Sequence, residues 1–201
     1  MIRIMDQKVF ILIGRSGCGK GTQGALLSKY LKEIDSKRET LYITSGSEFR
    51  EFIKGNSTTQ KLSNQFYTED KLQPEFLSVY MWINILIRDY TENKHLIFDG
   101  APRRRHEAGV MDSIFDFYNL KTPTVINIDI SEESAIKRLE ERHRMDDKKE
   151  DIAKRLAWYK TDVIPTIEFY KNNPKYNYIE IDGENSIEET HKIILEKISL
   201  K

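Results

Sequence analysis

The chain has 201 residues, 39% apolar and 10% aromatic, which is ordinary for one globular domain. Lys plus Arg and Asp plus Glu each number 32, so no global basic field of the kind that binds nucleic acid is present, and any anion site has to be local. The single cysteine, Cys18, excludes an intrachain disulfide framework; the start MIRIMDQKVF lacks the apolar stretch of a signal peptide, and the longest apolar run, 76 to 87, is shorter than the roughly twenty residues a bilayer needs, so the expected setting is cytoplasmic with no membrane partner.

In chain order, VFILI at 9 to 13 does not alternate and suits a strand buried on both faces. A helix is expected over 20 to 34 and a strand, LYIT, at 41 to 44. The next stretch, 47 to 73, carries no strand run and reads as small helices, an inserted unit bounded at 45 to 74. Then come a buried helix at 74 to 90, the strand HLIFD at 95 to 99, a helix at 103 to 118 and the strand TVINIDI at 124 to 130. Helices over 131 to 142 and 147 to 171, the strand YNYIEI at 176 to 181 and a helix over 186 to 199 complete the chain. This alternation, without linker or repeat, indicates one domain, 1 to 201: a three-layer α/β fold on a five-stranded parallel sheet with helices on both faces.

Between the first strand and helix lies GRSGCGKGTQ. Glycines let backbone N–H groups turn inward around an anion, the helix N-terminus adds its dipole, and Lys20 brings a point charge to the β- and γ-phosphates of a nucleoside triphosphate. The expected cradle of this P-loop is Gly17, Cys18, Gly19, Lys20, Gly21 and Thr22. Gly21 stands where Ser or Thr usually follows the lysine, so Thr22 is the hydroxyl expected to meet Mg²⁺. Cys18, at a helix N-terminus beside Lys20, is expected to be thiol-reactive, with small-residue packing as its role.

The third strand runs into IFDGAPRRRHEA. Asp99, at the carboxyl end of a parallel strand beside the phosphate loop, is placed to hold Mg²⁺-bound water, and the turn after it would aim Arg103 into the ligand crevice. Arg104 and Arg105 read as solvated. Further on, Ser131 suits an N-cap, and Arg138 and Arg142 are i,i+4 neighbours on one helix face. Arg144 would be turned about 200° from Arg142 on a continuous helix, so a shared phosphate target requires a break near His143.

GKGTQ, ITSGSEFR at 43 to 50, DGAPR at 99 to 103, and Arg144, Asp146, Asp147 and Arg155 together resemble the adenylate kinase family of nucleoside monophosphate kinases, over nearly the whole chain. The resemblance implies transfer of the γ-phosphoryl of ATP to a nucleoside monophosphate with Mg²⁺, and makes 45 to 74 the monophosphate-binding insertion. Carried over, Lys20 and the 17 to 22 backbone hold the donor phosphates, Arg138 lies near the donor adenine and Arg142 on phosphates. Arg50, Arg103, Arg144 and Arg155 grip the acceptor phosphate and the transferring group, with Ser45, Leu72, Gln73, Gly100 and Glu107 at acceptor-binding positions. The expected catalytic set is thus Lys20, Arg103, Arg142, Arg144 and Arg155; a monophosphate acceptor is already ionised, so no base is needed. A monomer is favoured, with an oligomer covering the site as the alternative.

The family commonly reads the acceptor base with a glutamine where this chain has Glu107, which when ionised can only accept. AMP leads as acceptor, GMP or a pyrimidine monophosphate follows, and Glu107 as a solvated helix residue is the bland alternative. Ser45, Ser47, Ala101 and Asp70 replace the family's Thr, Asp, Phe and Gly. Between Arg142 and Arg144, where relatives carry a loop or small domain over ATP, there is only His143, a vestigial lid at 142 to 144. The expectation is a kinase that shields ATP less, with a small-metabolite kinase and a non-catalytic nucleotide-binding regulator as competitors.

Overall fold

The computed structural model describes residues 6–69, 71–142 and 149–198. Five strands, β1 (Val9–Ile13), β2 (Glu39–Thr44), β3 (Lys94–Asp99), β4 (Thr124–Asp129) and β5 (Asn177–Asp182), form one parallel sheet in the order β2-β3-β1-β4-β5. The helices are α1 (Lys20–Ile34), α2 (Ser45–Phe52), α3 (Thr58–Thr68), α4 (Glu75–Asp89), α5 (Arg105–Phe117), α6 (Glu132–Arg142), α7 (Lys149–Trp158), α8 (Ile164–Lys171) and α9 (Ile187–Ile198), with a π-turn, Tyr159–Val163, between α7 and α8.

All five residues of β1 are buried, as an unbroken apolar run between two helical layers requires. Successive side chains point to opposite faces, so β1 feeds two cores. Val9, Ile11 and Ile13 pack with Leu96 and Phe98 of β3 under α4, α5 and α8; Phe10 and Leu12 pack with Ile97, Ile126 and Ile128 under α1, α6 and α9. Each helix buries one stripe, for instance Trp82, Ile85 and Leu86 of α4. A fully buried apolar side chain of this size contributes roughly 1.5–3 kcal/mol, and the cores on both faces hold the strand ends in fixed register. Leu12 sits opposite both Asp99 and Ile126. β1 is flanked by β3 on one side and β4 on the other, and the crevice beyond the strands' carboxyl ends opens there.

Most boundaries fall within a residue or two of the sequence reading, and two differences have a clear physical consequence or cause. The helix expected over 147 to 171 is α7, the π-turn and α8, with the Ile164 N–H bonding the Tyr159 carbonyl, five residues back. Pro165 has no N–H to give and its ring would strike the carbonyl four residues before it; one wider turn absorbs the misfit. The helix expected from 103 starts at Arg105, which leaves Arg103 in the preceding turn. The 45 to 74 stretch holds α2 and α3, and α3 opens on a capping box between Ser57 and Gln60. His143, Arg144, Asp146 and Asp147 lie outside the described residues, and with them the lid remnant beyond Arg142; so does Asp70.

Candidate active site

The phosphate loop after β1 is shaped by backbone approaches that side chains would block. A Cβ on Gly14, at φ +141°, would collide with the Ile128 carbonyl oxygen of β4, and Gly19 caps α1 at φ +94°. Lys20 points back into this loop: Nζ donates to the carbonyls of Gly14 and Arg15, both at 2.8 Å, and lies 3.4 Å from Cys18 Sγ. An arriving phosphate competes for donors that the loop itself now holds. Cys18 is 2% exposed and walled by Gly14 and Lys20, so the reactive thiol expected from sequence is corrected to an enclosed packing residue.

At the end of β3, Asp99 Oδ2 accepts from the Tyr42 hydroxyl at 2.9 Å and lies against Gly21 at the start of α1. Burial, with Asp99 beside it, pushes the Tyr42 phenol far above its ordinary value, so the hydroxyl remains a donor. Gly100, at φ +71°, turns the chain after Asp99. Arg103 Nε then donates back to the Gly100 carbonyl at 3.0 Å, its backbone N–H donates to Glu107 Oε2 at 3.0 Å, and its carbonyl lies 2.9 Å from the Thr166 hydroxyl. Burial pulls the Arg103 guanidinium below its usual value, opposed by Glu107.

Glu107 is 1% exposed, which corrects the solvated alternative. Its Oε2 serves the start of α5, and Oε1 is buried with no hydrogen-bond partner among the described residues. Burial raises its pKa above 4.5, against the lowering effect of the Arg103 N–H. Arg104 is also corrected: rather than being solvated, it donates from Nη1 to the Gln73 carbonyl at 2.9 Å and pairs through Nε with Asp162 of the π-turn at 3.1 Å. Arg105 is exposed, its guanidinium 3.5 Å from the centroid of the Phe169 ring.

In the insertion, Gln73 spends its side chain internally: Oε1 accepts from the Ser63 hydroxyl and Nε2 donates to the Ser63 carbonyl, each at 2.9 Å. Across the sheet, Arg138 of α6 donates to the Gly183 carbonyl at 2.8 Å.

These elements enclose one cavity of about 1200 Å³. The P-loop residues Gly17, Cys18, Gly19, Lys20, Gly21 and Thr22 line it, as do Ser45, Arg50, Leu72 and Gln73. So do Asp99, Gly100, Arg103 and Glu107, and, from α6 and α7, Arg138, Arg142 and Arg155. Of the site residues expected from sequence, only Arg144 is unplaced, being outside the described residues. Among those described, eight cationic side chains line the cavity against two carboxylates, in a chain with no net charge. Such an enclosure concentrates polyanions and orients phosphates. Sequence reading missed Tyr42, Trp158, Arg104 and the Gly183–Asn185 loop; for Trp158 the available signal was its place three residues after Arg155, on the same helix face.

For Mg²⁺, the donor set is one carboxylate, Asp99, near the exposed Thr22, with no group of three or more metal-ligating side chains among the described residues. That fits a small, hard cation that keeps several waters and shares substrate phosphates rather than one caged by protein. Among the described residues, no helix is long and apolar enough to cross a membrane.

Residues 12–175 match the family model described as Adenylate kinase. The chain is similar to proteins named adenylate kinase from Azobacteroides pseudotrichonymphae genomovar. CFP2, 31% identical over 93% of this chain and 95% of that one, and from Corynebacterium aurimucosum, 32% identical over 93% and 97%. It is also similar to one from Flavobacterium psychrophilum, 29% identical over 94% and 97%.

Proposed function

The chain belongs to the adenylate kinase family, and on that premise we propose that it transfers the γ-phosphoryl group of ATP to AMP, forming two ADP, in the cavity between the phosphate loop and the β3–α5 turn. The observation that carries this reading is the excess of cations in that cavity on a neutral chain. In the transfer, the bond from the γ-phosphorus to the β-side bridging oxygen breaks and one to an AMP phosphate oxygen forms; the acceptor is already ionised, so positioning and charge stabilisation suffice.

Lys20 and the loop N–H groups hold the donor phosphates, Arg138 and Arg142 the donor side, Arg50 the acceptor phosphate, and Arg103 and Arg155 the group in flight. Asp99 and Thr22 would hold hydrated Mg²⁺, which supplies charge neutralisation between the phosphates. Glu107 reads the base. Its raised pKa favours the neutral acid, which offers a donor to adenine N1 and an acceptor to the N6 amino group; the ionised form suits the two donors of guanine instead.

Only residues 143–148 separate α6 from α7, too short a connection for a small domain. ATP is therefore less shielded than under a full lid, and some phosphoryl groups pass to water. We place the protein in the cytoplasm, where a lone cysteine such as Cys18 stays reduced.

The test is a coupled assay with ATP, Mg²⁺ and each of AMP, GMP, CMP and UMP, with phosphate release followed in parallel. AMP is the preferred acceptor, and Lys20→Met and Arg103→Ala each lower kcat/KM by about a hundredfold or more. Preference for GMP would overturn the reading of Glu107, and losses below about fivefold would remove Lys20 and Arg103 from the mechanism.

A further inference from the structure

In the β3–α5 turn the Arg103 backbone is held at both polar groups, its N–H by Glu107 of α5 and its carbonyl by the Thr166 hydroxyl of α8, and its Nε donates to the Gly100 carbonyl. What lies against the guanidinium is Trp158, the last residue of α7, with the Arg103 Cζ 5.4 Å from the ring centroid. Both line the cavity. Among the described residues, no carboxylate hydrogen-bonds this guanidinium. The difference is chemical. A carboxylate holds an arginine by taking N–H donors and cancelling charge, whereas an aromatic face attracts the cation and takes no donor. The Trp158 indole N–H is buried and unpartnered, so what this residue offers its neighbours is the ring face, not its polar edge.

The surroundings repeat the arrangement. The next residue, Tyr159, carries the Arg15 guanidinium of the phosphate loop at 4.4 Å, so adjacent aromatics seat one arginine from each of the two loops that form the cavity. Asp162 of the π-turn pairs with Arg104, and Thr166 faces the Arg103 carbonyl. The wider turn adds a residue before the helix comes round again, and so Val163, five residues on, lines the cavity with Trp158 and Arg155.

We propose, building on the kinase reading above, that Trp158 is a positioning residue for phosphoryl transfer: its ring seats the Arg103 guanidinium and leaves the Nη groups for phosphoryl oxygens. The π-turn fixes that seat relative to the phosphate loop.

The experiment is a double-variant cycle on the full chain, with kcat and KM for AMP and ATP, and a urea midpoint for each variant. Trp158→Phe keeps a ring and stays within about twofold of wild type, while Trp158→Leu loses about tenfold in kcat/KM for AMP, chiefly in kcat, as a desolvated cation–π contact requires. In the Arg103→Ala background, Trp158→Leu costs less than about twofold more, because the two residues act as a unit. Trp158→Met replaces the leucine variant if that variant does not fold. Equal losses in the Phe and Leu variants, or losses that multiply in the double variant, would overturn the seat and leave a packing residue. If the wild type phosphorylates no nucleoside monophosphate, the kinase reading fails alone; the same cycle is then read in AMP affinity by calorimetry, where absence of coupling sinks this proposal.

Discussion

Arg104→Ala tests whether the insertion is braced against the frame by a residue that sequence placed in solvent. In the wild type, Arg104 ties the Gln73 carbonyl to Asp162, and Gln73 in turn holds α3 through both ends of its amide. A hydrogen bond from a charged donor is worth about 1.5–3 kcal/mol. The pair with Asp162, each side chain 24% exposed, adds roughly 0.5–1 kcal/mol after screening. Lys154 of α7 donates to the Glu69 carbonyl and remains as a second tether, so the working figure for the truncation is about 2 kcal/mol. A shift of that size lowers the population of the braced insertion by up to about thirtyfold, and the binding-competent fraction falls with it. Steady-state kinetics should show KM for AMP raised tenfold or more and KM for ATP within about twofold, since the phosphate loop lies outside the brace. Asp162→Asn, which removes only the ion pair, should raise KM for AMP less than about threefold. An Arg104→Ala enzyme whose KM for AMP moves less than twofold, or whose two KM values rise together, would refute the bracing argument.

Glu107→Gln separates protonation from shape. Because burial raises the folded pKa above 4.5, Glu107 contributes stability that is complete below that value and lost as pH rises through the raised pKa, and AMP affinity follows the same proton. In the glutamine variant, stability relative to wild type should climb with pH and KM for AMP should lose its rise on the alkaline side; parallel pH profiles for the two proteins would exclude a titrating Glu107. Tyr42→Phe removes the donor to Asp99 and should raise the Mg²⁺ needed for half-maximal rate by about tenfold, as loss of a ligand's hydrogen-bond partner does. An unchanged Mg²⁺ dependence would show that Tyr42 only packs against Gly24. His95 is fully buried, accepts the Lys8 N–H at Nδ1 and lies with Nε2 3.5 Å from Asp35; burial lowers its pKa despite that carboxylate. Its neutral form therefore stabilises the fold above about pH 6.5, and that contribution fades as pH falls below this value; His95→Gln should flatten the loss of stability between pH 7 and pH 5 in urea titrations, and identical slopes would contradict it.

What could be read from sequence and what could not follow from the range of the forces involved. The glycines at 14, 17 and 19 were legible because a loop that turns its N–H groups inward needs backbone conformations and approaches that a Cβ forbids, a constraint written within six residues. The strands were legible because burial on both faces leaves unbroken apolar runs. Arg103, Arg104 and Arg105 show where local reasoning ends. They are identical in chemistry and adjacent in sequence, yet one sits over Trp158, one bridges Gln73 to Asp162, and one lies exposed on Phe169. All the partners that separate them are more than thirty residues away, on α7, the π-turn, α8 and the 45 to 74 insertion. Two of those partners, Asp162 and Phe169, lie in or after the wider turn that precedes Pro165, where the helix comes round one residue later than a regular α-helix would. Helical periodicity assumes a constant turn and fails at that point. The Arg104 bridge and the contact between Arg103 and Trp158 both lie on or beside this wider turn; spacing from Arg155 puts Trp158 on the cavity side, but which arginine it meets is set by contacts far apart in sequence.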